Sequence, residues 1–487
     1  MKKQLLLLLG ILVVNSLLQA QTPTFQALLQ NTAGTQANEI ISVAKDNNGN
    51  TFFCGTHSDT FTLGTKSIAT GEGGAFWGKA DNTGNIVWIK QGGTQAPTSD
   101  KANSVAIDKN GNVYVCGAIA GHLNATFNGV PLPSTFNGFV LKYSNDGNFI
   151  WATGLGLNAN SIAVDNTNTP IVNFGDQGVY KLNPTTGEFL ESSSGAISGN
   201  LQNSRWHNIV IDASNNIIVQ AGNKIVKFDT NFNQIWSTAV SGTLIETFRI
   251  SLDQSGNVYG TFYGLFGTVT VGNVSKSNFP NGYIYKLDAA TGTPLFVDAF
   301  LIGGNASKIK EVIVSGDNYY ISGDGAFNTA VVLKTTATYS LLWQKNLSSK
   351  SPLNDIALNS EDCLVLAGNH QGTVALDSNN LVPPSGMNNA TSNSFLISLC
   401  NGELGVDDVL KNSKEIQIYP NPSNGNFNIE IDAHLVGSKA SIYNLLGQKI
   451  KDFTLKTITS NQNLNKGIYI LEIEKEGRKS TKKLIVN

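Results

Sequence analysis

The sequence is poor in charged residues, which make up 14 % of its 487 residues, against roughly 25 % in an average globular chain. It also has only four cysteines, five histidines and two methionines. No CxxC pair or His/Cys cluster with metal-ligand spacing occurs. Beyond the N-terminal region no apolar run approaches the ~20 residues of a transmembrane helix. We therefore name no metal-binding residue and expect no transmembrane span in the mature chain.

The motifs of common catalytic sites are missing as well. We find no Gly-x-Ser-x-Gly elbow, no His-Glu-x-x-His pair, no P-loop and no dinucleotide fingerprint. We name no catalytic or cofactor-binding residue and expect no cofactor. A carboxylate pair for glycoside hydrolysis can come from distant parts of a chain. An extracellular glycan-active enzyme therefore stays the alternative to a binding protein, and a structural spacer is a third possibility.

The few charges are distributed unevenly. Residues 21–415 carry 21 Lys/Arg and 29 Asp/Glu, a net charge of −8, whereas residues 416–487 carry 10 and 6, a net charge of +4. Nucleic-acid phosphates select basic surfaces. The acidic main body therefore predicts no nucleic-acid partner.

The N-terminus has the pattern of a secretory signal peptide. Lys2 and Lys3 precede a short apolar run from Leu5 to Val14. We predict a signal peptide in residues 1–20, with cleavage between Ala20 and Gln21. The alternative is an N-terminal membrane anchor, for which the apolar run is short.

Export permits disulfide bonds, and the four cysteines fall into two groups. Cys54 and Cys116 occupy equivalent positions before a glycine on apolar stretches, which favours small buried thiols. Cys363 and Cys400 lie in the same C-terminal part of the repeat region described next, where they can form a disulfide bridge.

An internal repeat dominates the sequence. One half-unit, Val43 to Gly55, consists of two short apolar stretches around an Asp-Asn-Asn-Gly-Asn turn. A second half-unit of the same design follows it, and the pair occurs seven times at steps of 41 to 62 residues. Asp, Asn and Gly accept the left-handed backbone of tight hairpins. Two hairpins give four strands, which is the composition of a propeller blade.

The repeats resemble those of seven-bladed β-propellers in bacterial surface proteins, over about residues 22–404. We therefore predict an all-β fold, with a seven-bladed β-propeller in residues 21–404 followed by a small β-sandwich. The last repeat lacks a strand matching Trp88 or Trp151, and the apolar segment Phe25–Leu29 lacks a partner. We predict that this segment completes the last blade and closes the ring.

The C-terminal region has a different pattern. Residues 405–415 are predicted to be a linker, and residues 416–487 alternate apolar and polar residues between Gly and Pro breaks, as in a β-sandwich. Short motifs follow in order: Tyr-Pro-Asn-Pro, a Gly before a Phe, a Leu-Gly-Gln turn, Gly-x-Tyr, and a Lys-Lys-Leu-Ile-Val end. The motif residues are Tyr419, Pro420, Asn421, Pro422, Gly425, Phe427, Gly447, Gly467, Tyr469, Lys482 and Lys483.

These motifs resemble the type A sorting domain of type IX secretion cargo in Bacteroidetes. The resemblance implies recognition by the outer-membrane translocon and removal of the domain. The mature protein is then expected to be secreted or displayed on the extracellular face of the outer membrane, where it can be attached to surface polysaccharide. The alternative is an ordinary β-sandwich accessory module.

Several recurring residues are candidates for binding chemistry. His57 and His370 occupy the same repeat position, where we expect exposed loop histidines. The Asp-x-x-Gly-Asn turns offer one carboxylate each, whereas calcium needs six to eight oxygen ligands, so we interpret them as hairpin turns. A recurring Lys precedes a Trp by nine residues in four repeats, as at Lys142 and Trp151. We expect the Lys to lie over the indole; a ring of sugar-binding aromatics is the alternative.

The predicted function is an exported binding protein, with polysaccharide or another surface protein as its ligand. Propellers resembling this one bind on one rim and in the central channel. Long connections in compact folds are often functional. We therefore expect the binding residues in the connections Gly55–Gly74, Gly117–Gly138 and Gly260–Gly282.

Overall fold

The computed structural model describes residues 23–69, 74–94, 100–120, 124–174, 178–193, 209–221, 224–277, 281–300, 308–325, 329–349, 351–359, 362–376, 379–400, 416–431, 435–444, 448–461, 463–475 and 478–487. The chain divides into two compact units, Met1–Asn401 and Gly402–Asn487. The regular elements of the described residues are all β-strands. No described residue belongs to a helix long and apolar enough to cross a membrane.

The strands of the first half of unit one follow the repeats. They are β1 (Thr24–Gln30), β2 (Asn38–Lys45), β3 (Thr51–His57), β4 (Phe61–Leu63), β5 (Lys66–Ile68), β6 (Ala75–Ala80), β7 (Ile86–Thr94), β8 (Lys101–Ile107), β9 (Val113–Ala118), β10 (Ala125–Phe127), β11 (Val130–Leu132), β12 (Gly138–Tyr143), β13 (Phe149–Leu155), β14 (Ser161–Val164), β15 (Pro170–Asn173), β16 (Val179–Leu182) and β17 (Phe189–Ser192).

The second half continues the series. Its strands are β18 (Ile209–Ile211), β19 (Ile217–Ala221), β20 (Lys224–Phe228), β21 (Gln234–Leu252), β22 (Val258–Val271), β23 (Val274–Ser277), β24 (Asn281–Leu287), β25 (Pro294–Phe300), β26 (Lys308–Ser315), β27 (Asn318–Asp324), β28 (Thr329–Thr336), β29 (Leu341–Ser349), β30 (Leu353–Leu358), β31 (Leu364–His370), β32 (Val374–Leu376), β33 (Asn379–Leu381) and β34 (Asn393–Cys400).

These strands form antiparallel four-stranded units, which we number as blades by the repeats. The orders are β2-β3-β6-β7, β8-β9-β12-β13, β14-β15-β16-β17, β18-β19-β20-β21, β21-β22-β24-β25, β26-β27-β28-β29 and β30-β31-β34-β1. The long strand β21 serves two blades, the fourth with its first half and the fifth with its second half. First strands of successive blades contact each other, and β30 contacts β2, so the described strands form a ring. The propeller fold is thus present, whereas the count of seven blades stays a prediction.

The N-terminal strand closes the ring, as the sequence predicts. β1 pairs antiparallel with β34, from Thr24 opposite Cys400 to Gln30 opposite Phe395. Phe25 and Leu28 pack against the apolar core of the last blade. The last blade is therefore built from the two ends of the repeat region.

The long connections proposed as binding loops contain short hairpins that cover the preceding blade. β10 pairs with β7, and the end of β22 pairs with β21 at Val240. β32 contacts β29, and Asn31 after β1 bridges to Leu63 in β4. Each hairpin buries apolar side chains, such as Phe61, Phe127 and Leu376. These described parts extend the outer edge of a neighbouring blade, and a binding role for the long connections stays a prediction.

The Asp turns owe their shape to their own hydrogen bonds. Asp46 Oδ1 accepts the N–H groups of Asn48 and Asn50, each at 2.9 Å, and its Oδ2 accepts Asn50 Nδ2 at 2.8 Å. The pattern recurs at Asp108 and Asp253, among other turns. These carboxylate oxygens are occupied by the turn, which confirms the interpretation as hairpin chemistry.

The second unit is a small two-sheet sandwich. Its strands are β35 (Ile416–Tyr419), β36 (Phe427–Ile431), β37 (Lys439–Asn444), β38 (Lys449–Thr454), β39 (Ile458–Asn461), β40 (Gly467–Lys475) and β41 (Arg478–Val486). One sheet has the order β35-β36-β39 and the other the order β38-β37-β40-β41. Ile429, Ile442 and Leu471 are fully buried in the core of this unit. The predicted linker 405–415 lies outside the described residues.

Candidate functional site

A repeated β-bulge shapes the first strands of the blades, which form the inside of the ring. The register between the first and second strands of a blade shifts at Ile40/Ser42, Ala102/Ser104, Ile309/Glu311 and Leu353/Asp355. A bulge adds one residue to one strand and turns its side chain away from the regular alternation. The extra residues are Ile41, Asn103, Lys310 and Asn354, and all four line one cavity.

The residue after each bulge binds the next blade. Ser42 Oγ accepts the N–H of Val105 and Ser104 Oγ accepts that of Ile162, each at 3.3 Å. At the same repeat position Glu311 Oε2 accepts the N–H of Ile356 at 3.2 Å. Asp355 Oδ2 likewise accepts the N–H of Val43 at 2.7 Å, across the closing seam. One position therefore joins neighbouring blades with a serine in some repeats and a carboxylate in others.

Arg249 holds the equivalent place in the fifth blade and gathers the charged side chains. Its guanidinium pairs with Glu311 at 3.3 Å and with Asp355, and its Nη2 donates to the Asn354 carbonyl at 2.6 Å. Arg249 and Asp355 are 5 % and 3 % exposed, whereas the side chain of Glu311 keeps 12 % of its surface accessible. Burial raises the pKa of Glu311, although the charge of Arg249 opposes the shift. The arginine therefore neutralises carboxylates that would be costly alone.

A polar cavity of about 470 Å³ opens where the first strands begin. We call it the mouth and define it by its lining residues, which come from five blades: Glu39, Ile41, Lys101, Asn103, Ala118, Asn158, Asn160, Lys310, Pro352, Asn354 and Asn369. Its volume lies in the ~300–1,000 Å³ range of small-ligand sites. Five of its eleven lining residues are asparagines, so side-chain amides dominate its chemistry.

The polar groups of the mouth differ in how far they are satisfied. Lys310 Nζ pairs with Asp324 at 2.9 Å, and Asn354 Nδ2 donates to Glu39 Oε1 at 3.1 Å. The side chains of Asn158 and Asn160 make no hydrogen bond to another described residue. These two amides each offer a donor and an acceptor to a ligand.

The mouth does not have the carboxylate arrangement of a glycosidase. Glycoside hydrolysis uses two carboxyl groups that flank the scissile bond. Glu39 is the single carboxylate among the described lining residues, and Glu311 and Asp355 are bound to Arg249. Within the described chain no group of three or more His, Cys, Asp or Glu is arranged to hold a metal ion.

The recurring lysines and tryptophans form a structural clamp between blades. Trp151 Nε1 and Lys142 Nζ both donate to the Pro184 carbonyl of the next blade, at 3.2 and 2.6 Å. Trp236 Nε1 and Lys227 Nζ likewise both donate to the Ala289 carbonyl. Lys79, Lys142 and Lys334 lie over rings of the second strand, as Lys142 does over Tyr114 at 4.9 Å, so the predicted Lys–indole contact is wrong. The four tryptophans are buried, which removes the sugar-binding ring: Trp88, Trp151, Trp236 and Trp343.

The two repeat-equivalent histidines are buried, so the expectation of exposed loop histidines is wrong. His57 is 3 % exposed and His370 is fully buried. Each Nδ1 contacts a carbonyl two residues ahead, that of Asp59 at 2.7 Å and that of Gly372 at 2.8 Å. Burial lowers the pKa of both imidazoles.

The cysteines divide as the sequence suggests. Cys54 and Cys116 are buried free thiols, which confirms that interpretation. The Sγ atoms of Cys363 and Cys400 are bonded to each other. This bridge fixes the end of β34, which is the last described strand of the first unit.

The sorting-motif residues meet in the second unit around its last strand. Asn421 Nδ2 donates to the Lys483 carbonyl and its Oδ1 accepts the N–H of Ile485, both at 2.8 Å. A Cβ on Gly425, whose φ is +98°, would lie 2.6 Å from the Leu464 carbonyl oxygen.

The remaining motif residues divide between core and surface. Phe427 is buried, and Tyr469 is buried with its hydroxyl donating to the Asn465 carbonyl. Gly467 pairs with Val486. The surface members are Tyr419, Pro420, Pro422 and Lys483, with Lys482 half-buried. Gly447 and the predicted cleavage residues Ala20 and Gln21 lie outside the described residues.

Sequence reasoning missed the mouth and the ion cluster. A signal was present, because Ser42, Ser104, Arg249, Glu311 and Asp355 all directly precede the recurring apolar residue of the first strand. The bulge hides this signal, because simple alternation of side chains, which ignores the extra residue, assigns the residues before the bulge to the opposite face of the strand.

Comparison with known families agrees with both parts of the chain. Residues 417–487 match the secretion system C-terminal sorting domain, and residues 87–124 match a β-propeller repeat. The chain is thus a β-propeller protein with a type IX sorting domain. That domain directs it through the type IX translocon to the cell surface or the extracellular space.

The chain is also similar to solved structures at low sequence identity. BamB from Moraxella catarrhalis is 10 % identical with a TM-score of 0.43, over 75 % of this chain and 99 % of that one. The extracellular domain of a putative hybrid two-component system from B. thetaiotaomicron is 12 % identical with a TM-score of 0.46, over 96 % and 59 %. A Bacteroides caccae protein of unknown function is 13 % identical with a TM-score of 0.37, over 60 % and 93 %. No curated protein matches the chain.

Proposed function

We propose that this protein is a polysaccharide-binding protein of the cell surface, and that the mouth is its binding site. The observation that carries the proposal is the cavity of about 470 Å³ lined by five asparagines. Primary amides donate and accept at once, which matches the hydroxyl groups of sugars. The core of a protein–protein interface is enriched in aromatic residues, Met and Arg, and none of these is among the described residues that line the mouth.

Glu39 and Lys101 place opposite charges on neighbouring blades of the mouth, and Lys310 is a second cation that pairs with Asp324. Glu39 Oε1 receives only the amide hydrogen of Asn354 among the described residues. Its second oxygen is an acceptor for a sugar hydroxyl. The lining lacks aromatic side chains, so we expect recognition by hydrogen bonds rather than by stacking on a ring.

The test is calorimetric titration of the exported chain with a panel of neutral and uronic-acid-bearing oligosaccharides. We expect one glycan class to bind, and the double variant Asn158→Ala/Asn160→Ala to weaken that binding at least about tenfold, because two bidentate partners are lost. Asn231→Ala, an exposed asparagine of a turn at the opposite end of the blades, is the matched control and should leave affinity unchanged. Equal affinity in the double variant would refute the mouth as the site.

A further inference from the structure

Four buried polar side chains form one hydrogen-bonded cluster where the last blade meets the first. We call this cluster the closure latch, and it consists of Asn31, Asn38, His370 and Asn393, each at most 2 % exposed. Asn31 follows β1, Asn38 opens β2, His370 ends β31 and Asn393 opens β34. The cluster therefore joins the closing strand and the two blades on either side of the seam.

The hydrogen bonds of His370 require a neutral imidazole. Its Nδ1 lies 2.8 Å from the Gly372 carbonyl oxygen, which can only accept, so Nδ1 carries the proton. Its Nε2 lies 3.1 Å from Asn393 Nδ2, which can only donate. Nε2 must therefore be unprotonated for the latch to hold.

Asn393 cannot turn over to suit a protonated histidine. Its Oδ1 accepts Asn31 Nδ2 at 3.0 Å and Asn38 Nδ2 at 3.4 Å, and its Nδ2 donates to the Asn31 carbonyl at 3.1 Å. If the Asn393 amide rotated by 180°, its NH₂ group would face the NH₂ groups of Asn31 and Asn38. Its oxygen would then face the carbonyl oxygen of Asn31. A second proton on His370 thus leaves a buried donor without an acceptor in either orientation.

The charged side chains on the described elements around the latch make no hydrogen bond to it. Asp59 Oδ2 accepts two backbone N–H groups of the loop before β2, and its Oδ1 has no partner among the described residues. Glu39 accepts Asn354 Nδ2, and Asp355 pairs with Arg249. The other titratable group is His57, whose Nε2 has no partner among the described residues. Burial lowers the pKa of His370, in agreement with the geometry.

We propose that His370 is a pH-sensitive latch, whose protonation breaks the closure cluster and loosens the seam between the last and first blades. The seam also carries part of the mouth, because Asn38 precedes Glu39 and His370 follows Asn369. Acid therefore releases a ligand from the mouth. This second consequence rests on the proposed binding function, whereas opening of the seam does not.

The size of the effect follows from proton linkage. A histidine freed by opening titrates near pH 6.5, whereas the closed latch binds the second proton only at lower pH. Opening therefore takes up one proton below about pH 6.5. The opening constant rises about tenfold per pH unit, until the lowered pKa of the closed state is reached.

Native-state hydrogen exchange on the ligand-free, exported chain tests the latch between pH 7.5 and pH 5.0. Protection of the β1 amides, corrected for intrinsic rates, should fall about tenfold per pH unit below pH 6.5 relative to β12. In His370→Gln this extra fall should vanish, because the glutamine oxygen can still accept from Asn393 but does not titrate. His57→Gln, the equivalent position without an asparagine partner, should keep the fall.

Two results would overturn the latch: an extra fall that persists in His370→Gln, or β1 and β12 profiles that coincide in the wild type. If His370→Gln does not fold, exchange of the imidazole C2 hydrogen in the wild type gives the pKa of His370, and a value at or above about 6.5 would equally overturn the latch. Glycan titration of the same samples distinguishes failure of the latch from failure of the proposed binding function. Absence of binding at pH 7.5 contradicts the proposed function alone, since the exchange profile needs no ligand.

Discussion

The first blades and the last blades use different side chains at the same repeat position to bind the next blade. We call them the serine side and the charged side. In the first blades the residue after the bulge is a serine, and Ser42 and Ser104 each accept one N–H from the next blade. In the last blades the same place holds Arg249, Glu311 and Asp355. Both solutions satisfy the backbone of the neighbouring blade, which a buried N–H requires.

The difference lies in what each side depends on. A serine satisfies its partner alone, so the loss of one serine is local. The carboxylates can accept from backbone N–H groups at low cost only while Arg249 balances their charge. Loss of Arg249 should therefore destabilise the whole charged side. The cluster also binds the Asn354 carbonyl, and Asn354 lines the mouth. Both sides supply lining residues, because Ile41 and Asn103 directly precede the two serines, but only the charged side binds a lining residue through its own side chain.

Removal of the closing strand should have the largest effect, because it opens the seam where the two sides meet. Deletion of residues 22–30 exposes core around Phe25, Leu28 and Leu29, and we expect a loss of about 4–8 kcal/mol in the free energy of unfolding. Thermal unfolding measures this loss as a sharp drop of the midpoint. An unchanged midpoint would show that the ring does not depend on β1.

Arg249→Met should cause the second largest loss in the free energy of unfolding. The substitution leaves the buried carboxylates of Glu311 and Asp355 without their cation, which costs about 3–5 kcal/mol. Urea unfolding gives the change, and Lys276→Met, in an exposed ion pair with Asp298, is the matched control with an expected change near zero. If Arg249→Met costs less than about 1 kcal/mol, the charged side does not act as a unit.

Glu311→Gln should cost less, about 1–3 kcal/mol, because the amide oxygen still accepts the N–H of Ile356. The pKa of Glu311 is raised by burial, so its ionisation destabilises the folded wild type as the pH rises above about 4.3. Glutamine does not ionise, so the stability of the variant lacks this pH dependence. The stability deficit of the variant should therefore shrink between pH 4 and pH 7, and a deficit that grows over this range would contradict the assignment.

Ser104→Ala should have the smallest effect, about 1 kcal/mol, through the loss of one hydrogen bond to Ile162. Ser161→Ala is its control, because Ser161 Oγ has no hydrogen-bond partner in the described part of the chain. We expect this second variant to be close to neutral in urea unfolding. Equal losses would mean that the serines contribute by packing alone.

Much of the architecture was readable from local patterns. The Asp-x-x-Gly-Asn turns and short apolar stretches specify hairpins through contacts within a few residues. The unmatched segment Phe25–Leu29 predicted ring closure, which the pairing of β1 with β34 confirms. The ordered motifs after Tyr419 predicted the sorting domain that the family comparison finds. The signal peptide in residues 1–20 stays a prediction.

The proposed site was not readable in this way. The mouth gathers residues from five blades, and bulges turn Asn103, Lys310 and Asn354 into it against the regular alternation. The inserted hairpins carry an apolar-x-apolar pattern before a turn, as in Phe61-Thr62-Leu63-Gly64, yet their place on the preceding blade depends on the assembled ring. His57 is buried beside Phe61 of such a hairpin, and His370 is buried beside Phe395 of β34.

The repeat, the hairpins, the unmatched closing segment and the export route can be recognised in the sequence, because each has a local residue pattern. Which side chains are buried, line the mouth or pair across blades depends on the assembled fold, since these contacts join residues that are distant in the chain. Arg249 and Asp355 are 106 residues apart, and they meet only because successive blades pack around one axis.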